Sequence, residues 1–319
     1  METKFRHDGG VPLPEPVRRF TEERAKAVGF AALKRAAQTL SAAYREGSAT
    51  ALSTLPAAER VAAYLATRMP ATYAAAEAVL RELRDHPITS VLDIGSGAGA
   101  ASLAALRWFP ELNPITWIER DTALAAAARE FLPHVHLRSE NFQRLAEFPP
   151  HDLVIAAYSL GETPSADVAL RLWQAARVAL VVIEPGTTRG FSLVRDVRDR
   201  LLARGAHMLA PCPAAGPCPM TAPDWCHFAA RVQRTSLHRR LKDAELNYED
   251  EKFSYVALVR EPAALAPSRI VRRPRHQPGL IVLETCTPRG LETARATKRD
   301  RDLFRAARQA AWGDAFPPL

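Results

Sequence analysis

VLDIGSGAGAAS, residues 91–102, decides the fold. A short apolar run ends around Asp93, and Gly95, Gly97 and Gly99 then alternate with small residues before an alanine-rich stretch. Glycine reaches positive φ and lets the backbone approach a ligand, while the start of the next helix offers free N–H groups. The segment reads as strand, tight turn and helix. The same alternation continues downstream. Apolar runs at 90–94, 115–119, 135–138, 153–157 and 179–184 are interleaved with helical stretches at 100–108, 122–131, 166–176 and 192–204. Strand followed by helix, repeated, predicts a parallel sheet with helices on both faces.

A bare glycine pattern also fits a nicotinamide dinucleotide, the main rival ligand. Two details favour S-adenosylmethionine. Asp93 lies at the strand end, where a carboxylate can meet a methionine amino group, and the run has the D-x-G-x-G-x-G form found in methyltransferases. Glu119 closes the second strand and is a candidate for both ribose hydroxyls. Glu140 and Asn141, after the third strand, are candidates for the adenine amine, and Asp152 opens the fourth. The expected fold is α/β, a class I (Rossmann-like) methyltransferase sheet with an N-terminal helical cap and a Cys-rich metal-binding insertion.

The expected segments are 1–86, helical; 87–205, cofactor-binding; 206–290, the cysteine insertion with closing strands; and 291–319, a basic helix and tail. In the first, Phe30, Leu33, Ala36, Leu40 and Tyr44 recur at helical spacing. Ser53 or Thr54 is placed to cap a second helix, and a third is expected over 72–83. Runs 253–259 and 279–285 are expected to form the antiparallel edge pair of the sheet. After the fourth strand, Ala156 to Glu162 lacks the Asn/Asp-Pro-Pro-aromatic run of amino-methylating enzymes, and no cysteine is there to attack a cytosine ring. Tyr158 and Glu162 are the only acceptor-pocket candidates, and the catalytic residues stay unassigned.

The 319 residues are 47% hydrophobic and 24% charged, an ordinary soluble balance, with a net charge of +8. The first sixteen residues have no apolar core of a secretory signal, and no apolar run reaches membrane-spanning length. A reducing bacterial cytoplasm is therefore expected. There, four cysteines point to metal ligands or core thiols before disulfides. Cys212, Cys218 and Cys226 follow a C-x5-C-x7-C pattern, and Cys286 completes the chain's cysteines. Zinc prefers tighter knuckles, so these wide, proline-flanked gaps favour an iron–sulfur cluster with zinc as the alternative. His227, beside Cys226, is a lesser candidate.

PCPAAGPCPM, DWCHFAARVQRTSLHRRLK and YEDEKFSYVALVR, with the glycine run and IEPGTTRGF, resemble the small-ribosomal-subunit-associated methyltransferase-like proteins of bacteria and mitochondria. The resemblance spans about 73–289. It implies a [4Fe-4S] cluster on Cys212, Cys218, Cys226 and Cys286, adenosylmethionine at the glycine loop, ribosomal RNA as partner and a role in small-subunit assembly. Three basic runs agree with a polyanionic partner: Arg231 to Lys242, Arg269 to His276, and Lys298 to Arg308. The rival readings are a non-catalytic scaffold on the same fold and a small-molecule methyltransferase with structural zinc.

Overall fold

The computed structural model describes residues 10–46, 54–162 and 166–317. Ser53 lies outside them, as do the side chains of Tyr44 and Glu162. The chain divides into two compact units, one of residues 1–84, 89–145 and 230–251, the other of 85–88, 146–229 and 252–319.

Among the described residues, four helices lead the chain: α1 (Glu15–Val28), α2 (Phe30–Glu46), α3 (Ala57–Thr67) and α4 (Met69–Leu80). Then come β1 (Val91–Ile94), α5 (Ala100–Trp108), β2 (Ile115–Ile118), α6 (Thr122–Arg129), β3 (Val135–Arg138) and β4 (His151–Ala157). Next are α7 (Ala166–Ala175), β5 (Ala176–Pro185), α8 (Thr188–Leu202), β6 (His207–Ala210), β7 (Phe228–Gln233), α9 (Ser236–Leu241) and β8 (Tyr248–Val259). The C-terminal stretch holds β9 (Ser268–Ile270), β10 (Arg275–Gln277), β11 (Leu280–Thr287), β12 (Gly290–Thr297), α10 (Arg301–Gln309) and β13 (Ala315–Phe316).

In the first unit, β3, β2 and β1 lie side by side and parallel, with Val91 opposite Ile115 and Ile115 opposite Val135. Every residue of β1 and β2 is buried, as in parallel strands covered on both faces. Helices α3 and α4 are rich in buried alanine, and the absence of bulk lets their backbones approach neighbouring helices closely. Val11 bridges Val232, tying the amino-terminal segment to β7.

In the second unit the order is β4-β5-β8-β6. Strand β5 runs parallel to β4, and β8 runs antiparallel between β5 and β6. The result is a methyltransferase-like α/β fold with a mainly parallel sheet. The edge pair differs from expectation: β8 is one member, but its partner is β6, only four residues long and followed by Pro211. The run 279–285 falls instead in β11, in a separate antiparallel sheet ordered β10-β11-β9-β13 with β12 on β11. Helix α10 covers this sheet, with Leu303, Phe304 and Ala307 against Ile270, Ile281, Leu283 and Phe316.

The segment expected as a basic helix and tail thus opens with a strand. In β12, Ala294 and Ala296 are buried, while Thr293, Arg295 and Thr297 are exposed. That is a period-two pattern, written in residues whose composition reads as helix.

Candidate functional site

The glycine loop closes β1 onto α5. Gly95, Gly97 and Gly99 have φ of 63°, 55° and 71°, conformations that suit glycine. Space demands glycine as well. A Cβ on Gly97 would lie 2.7 Å from the Tyr64 hydroxyl, and one on Gly99 would lie 2.5 Å from the Trp117 ring. Glu119, just past β2, is buried, and its carboxylate accepts hydrogen bonds from Gly97 N and Asp121 N, both at 2.7 Å. Asp121 caps α6 and is clasped by both ends of the Arg60 guanidinium at 2.9 and 3.0 Å. The helical segment thereby holds the loop after β2.

Asp93 is 1% exposed, and its carboxylate accepts from Ser102 N and Ser102 Oγ, at 3.1 and 2.7 Å. Trp117 Nε1 donates to the same hydroxyl at 2.9 Å. Asp93 thus braces the loop onto α5. Glu140 pairs with Arg138 Nε at 2.7 Å and is partly exposed, and Asn141 Oδ1 caps the short turn at Gln143 N. Asp93, the three glycines and Glu119 are brought together, whereas Glu140 and Asn141 are engaged in contacts local to the end of β3.

Burial raises the Asp93 carboxyl to about 6, against the help of its Ser102 hydrogen bonds. The folded form keeps its proton up to about pH 6 and the unfolded form only to about pH 4, so stability falls as pH rises through that window and is level above it. The cost at neutral pH is on the order of 3 kcal/mol. Asp93→Asn has no such titration. Its melting temperature relative to wild type is expected to rise between about pH 4 and 6 and then hold. A pH-independent difference would return Asp93 to an ordinary carboxyl.

After β4, Tyr158 takes a φ of 57°. The buried Glu184 carboxylate accepts from Leu160 N and Gly161 N at 3.0 and 3.1 Å. The backbone donors of this loop are therefore engaged by the end of β5.

In the second unit, Cys212, Cys218, Cys226 and Cys286 all line one cavity of about 200 Å³. A single water needs roughly 10–15 Å³ on the same measure, so there is room for a polyatomic guest. All four cysteines are free and partly exposed. Burial, then the neighbouring thiols, push Cys226 well up and Cys286 to about 12. Burial also raises Cys212, opposed by Arg198. Among the described residues no three His, Cys, Asp or Glu side chains meet the geometry of a metal-holding group.

Several anchors hold the cavity walls. Trp225 Nε1 donates to Gly186 O at 2.9 Å, and Ser254 Oγ to Cys226 O at 2.8 Å. Arg269, 2% exposed, donates to Pro211 O and Gly313 O, both at 3.0 Å. Arg198 reaches the loop between Cys212 and Cys218. His227 stacks on Trp225 and meets the edge of Trp312, so it packs into an aromatic cluster. Sequence reasoning passed over Tyr64, Ser102 and Arg198. Arg198 did leave a signal, a charge on the apolar face formed by Val194, Val197 and Leu201.

The three basic runs fare differently. In the first, Arg231 pairs with Asp250, while Arg234 and Lys242 pair with Glu249. Burial works to raise the Glu249 carboxyl, but the nearby His238 and hydrogen bonds from Lys242 and Arg234 hold it far below the usual range. In the second, Arg269 is buried and Arg272 pairs with Asp224. In the third, Lys298, Arg299, Arg301, Arg305 and Arg308 are all exposed, as is Arg295 beside them. Residues 268–319 carry eleven Lys and Arg against five Asp and Glu, so most of the net charge of +8 lies there.

Residues 58–317 match the family model described as mitochondrial small ribosomal subunit Rsm22. The human ribosome assembly protein METTL17, mitochondrial, is 31% identical over 295 residues, which are 80% of this chain and 62% of that protein. The Rsm22-cox11 tandem protein 2, mitochondrial, of Schizosaccharomyces pombe is 26% identical over 81% of this chain and 43% of its own. The chain thus spans about two-fifths to three-fifths of the length of these relatives. Among solved structures, a putative RNA methyltransferase from Pyrococcus horikoshii shares 12% identity at a TM-score of 0.39, over 59% of this chain and 83% of its own. The expectation of a bacterial cytoplasm is overturned, because the family and both relatives are described as mitochondrial and point to the mitochondrion. Among the described residues no helix is long and apolar enough to cross a membrane. With four-fifths of its length matched by one family model, glycine loop and cysteines included, the chain belongs to the mitochondrial small ribosomal subunit Rsm22 family.

Proposed function

We propose that this chain is an assembly factor of the mitochondrial small ribosomal subunit that binds S-adenosylmethionine and carries an iron–sulfur cluster. The observation that carries the reading is the family match over 58–317. Cofactor binding is supported by the left-handed glycine loop and by Glu119 at the end of β2. Glu119 would accept the ribose hydroxyls, and the N-terminus of α5 would face the methionine carboxylate. Glu140 and Asn141 stay proposed for the adenine edge. Asp93 braces the loop through Ser102 and stays proposed for the methionine amino group. The cluster is supported by the donor set, four thiols around one cavity with room for a polyatomic guest. When bound, the cluster supplies metal–thiolate bonds that join the Cys212–Cys226 segment to β11, and it replaces thiol protons with metal charge.

A second reading, a cofactor-binding scaffold without methyl transfer, is favoured by the loop after β4, whose N–H groups are engaged by Glu184. Labelled methyl incorporation into mitochondrial small subunits separates the two. Transfer to RNA or protein removes the scaffold reading, and tight cofactor binding without incorporation supports it.

The RNA-facing surface is proposed to be the exposed run of 295–308. Filter binding of small-subunit RNA across a salt series tests it. Reversing Arg295, Arg299 and Arg301 to glutamate is expected to flatten the log–log salt slope by about 2, since each lost phosphate contact removes roughly 0.7–0.9. Reversing Arg239 and Arg240 is expected to change it less, because Arg240 already lies over Phe30. The opposite ranking would move the contact to α9.

A further inference from the structure

Helix α8 buries an arginine. Arg198 leaves only 5% of its side chain exposed, although a guanidinium is costly to bury unless its donors find acceptors. Nη1 pairs with the Asp199 carboxylate. Nη2 donates to Ala214 O at 3.2 Å and to Gly216 O at 2.5 Å. Both carbonyls belong to the five residues between Cys212 and Cys218. Its charge opposes the burial that raises the Cys212 thiol, and it lines the cavity that the four thiols share. The buried Nε–H has no hydrogen-bond partner. An unspent, buried, charge-bearing donor at a thiol-lined cavity calls for an anionic acceptor there.

The loop it grips has little means of shaping itself. Pro211, Pro213 and Pro217 carry no N–H, so the guanidinium supplies from outside the bonds that a self-closing turn would make. A planar fork with fixed donor directions suits that task better than an ammonium.

We infer that Arg198 is the positioning residue of the four-cysteine site, templating the Cys212–Cys218 loop and directing Nε–H and a positive charge at an iron–sulfur cluster held there. The inference rests on the cluster reading above. A cube on four thiolates carries net negative charge, and one-electron reduction by an external reductant makes it more negative. A fixed cation and an N–H donor to sulfur both favour the reduced state, raising the potential. Asp199 offsets part of this, but it is half-exposed and better screened.

The test is a dithionite titration of anaerobically prepared holoprotein, followed by absorbance and electron paramagnetic resonance. Arg198→Gln is expected to make reduction at least tenfold less favourable, about 59 mV for one electron. Arg198→Lys keeps the charge and loses the fork. It is expected to stay nearer the wild-type potential, to release iron to a chelator faster, and to shift the Fe–S stretching bands. A Gln variant with full iron and an unchanged midpoint overturns the proposal. If that variant does not fold, the Lys variant decides: wild-type iron release and unshifted bands overturn it equally. A wild type without iron overturns the cluster reading itself, and is seen before any variant is made.

Discussion

Protein prepared without oxygen is expected to be brown, with about four irons per chain, and Cys226→Ser is expected to lose both colour and most of the iron. Cys226 is a useful position because burial, then the neighbouring thiols, push its thiol well up. A ligand must lose that proton, so the metal supplies the charge that makes the thiolate tolerable in the interior. Binding therefore releases protons, and iron retention is expected to weaken as pH falls. The same substitution should lower the melting temperature of the loaded protein far more than that of the iron-free form, since ligand bonds add to folding free energy only when the metal is present. One equivalent of zinc with no iron, under anaerobic preparation, would replace the cluster with a single-ion site. Equal losses of stability with and without metal would reduce the cysteines to packing.

Adenosylmethionine binding is expected to fall at least tenfold in Gly97→Ala, with folding weakened by about 1–3 kcal/mol. The backbone at φ 55° disfavours any side chain, and the new methyl would meet the Tyr64 hydroxyl at 2.7 Å. Gly97 N–H is also a donor to Glu119, so any shift of the loop moves the proposed ribose acceptor. Adding Tyr64→Phe removes the nearest atom and leaves the ring at 3.2 Å, so the double variant should recover part of the steric loss and none of the φ penalty. Calorimetry and melting on the four members of this cycle measure both effects. Undiminished binding in a folded Gly97→Ala variant would move the cofactor away from this loop.

Much of the sheet was legible because its signals are local. Helix α5 begins and ends where the alanine-rich stretch does, and β1 to β5 follow apolar runs. Strand β6 was missed because four residues before a proline carry too little period to register. Strand β12 was missed because alanine on its inner face mimics a helix. The basic run at α9 looked like a phosphate clamp because its neutralising acids, Glu249 and Asp250, sit on the following strand, and only the fold brings them opposite. The glycines and Glu119 were readable as a constellation. The Ser102 contact of Asp93 was not readable, because Ser102 reaches it only after the chain has turned into α5.

The cavity wall contributed by Cys286 comes from β11, and Arg269 on the neighbouring β9 anchors Pro211. A chain emerging from its own ribosome therefore displays Cys212, Cys218 and Cys226 well before the last wall exists. During that interval the three thiols are open to oxidation and to mispairing with one another. Chains lacking β11 would keep those three thiols without their fourth wall.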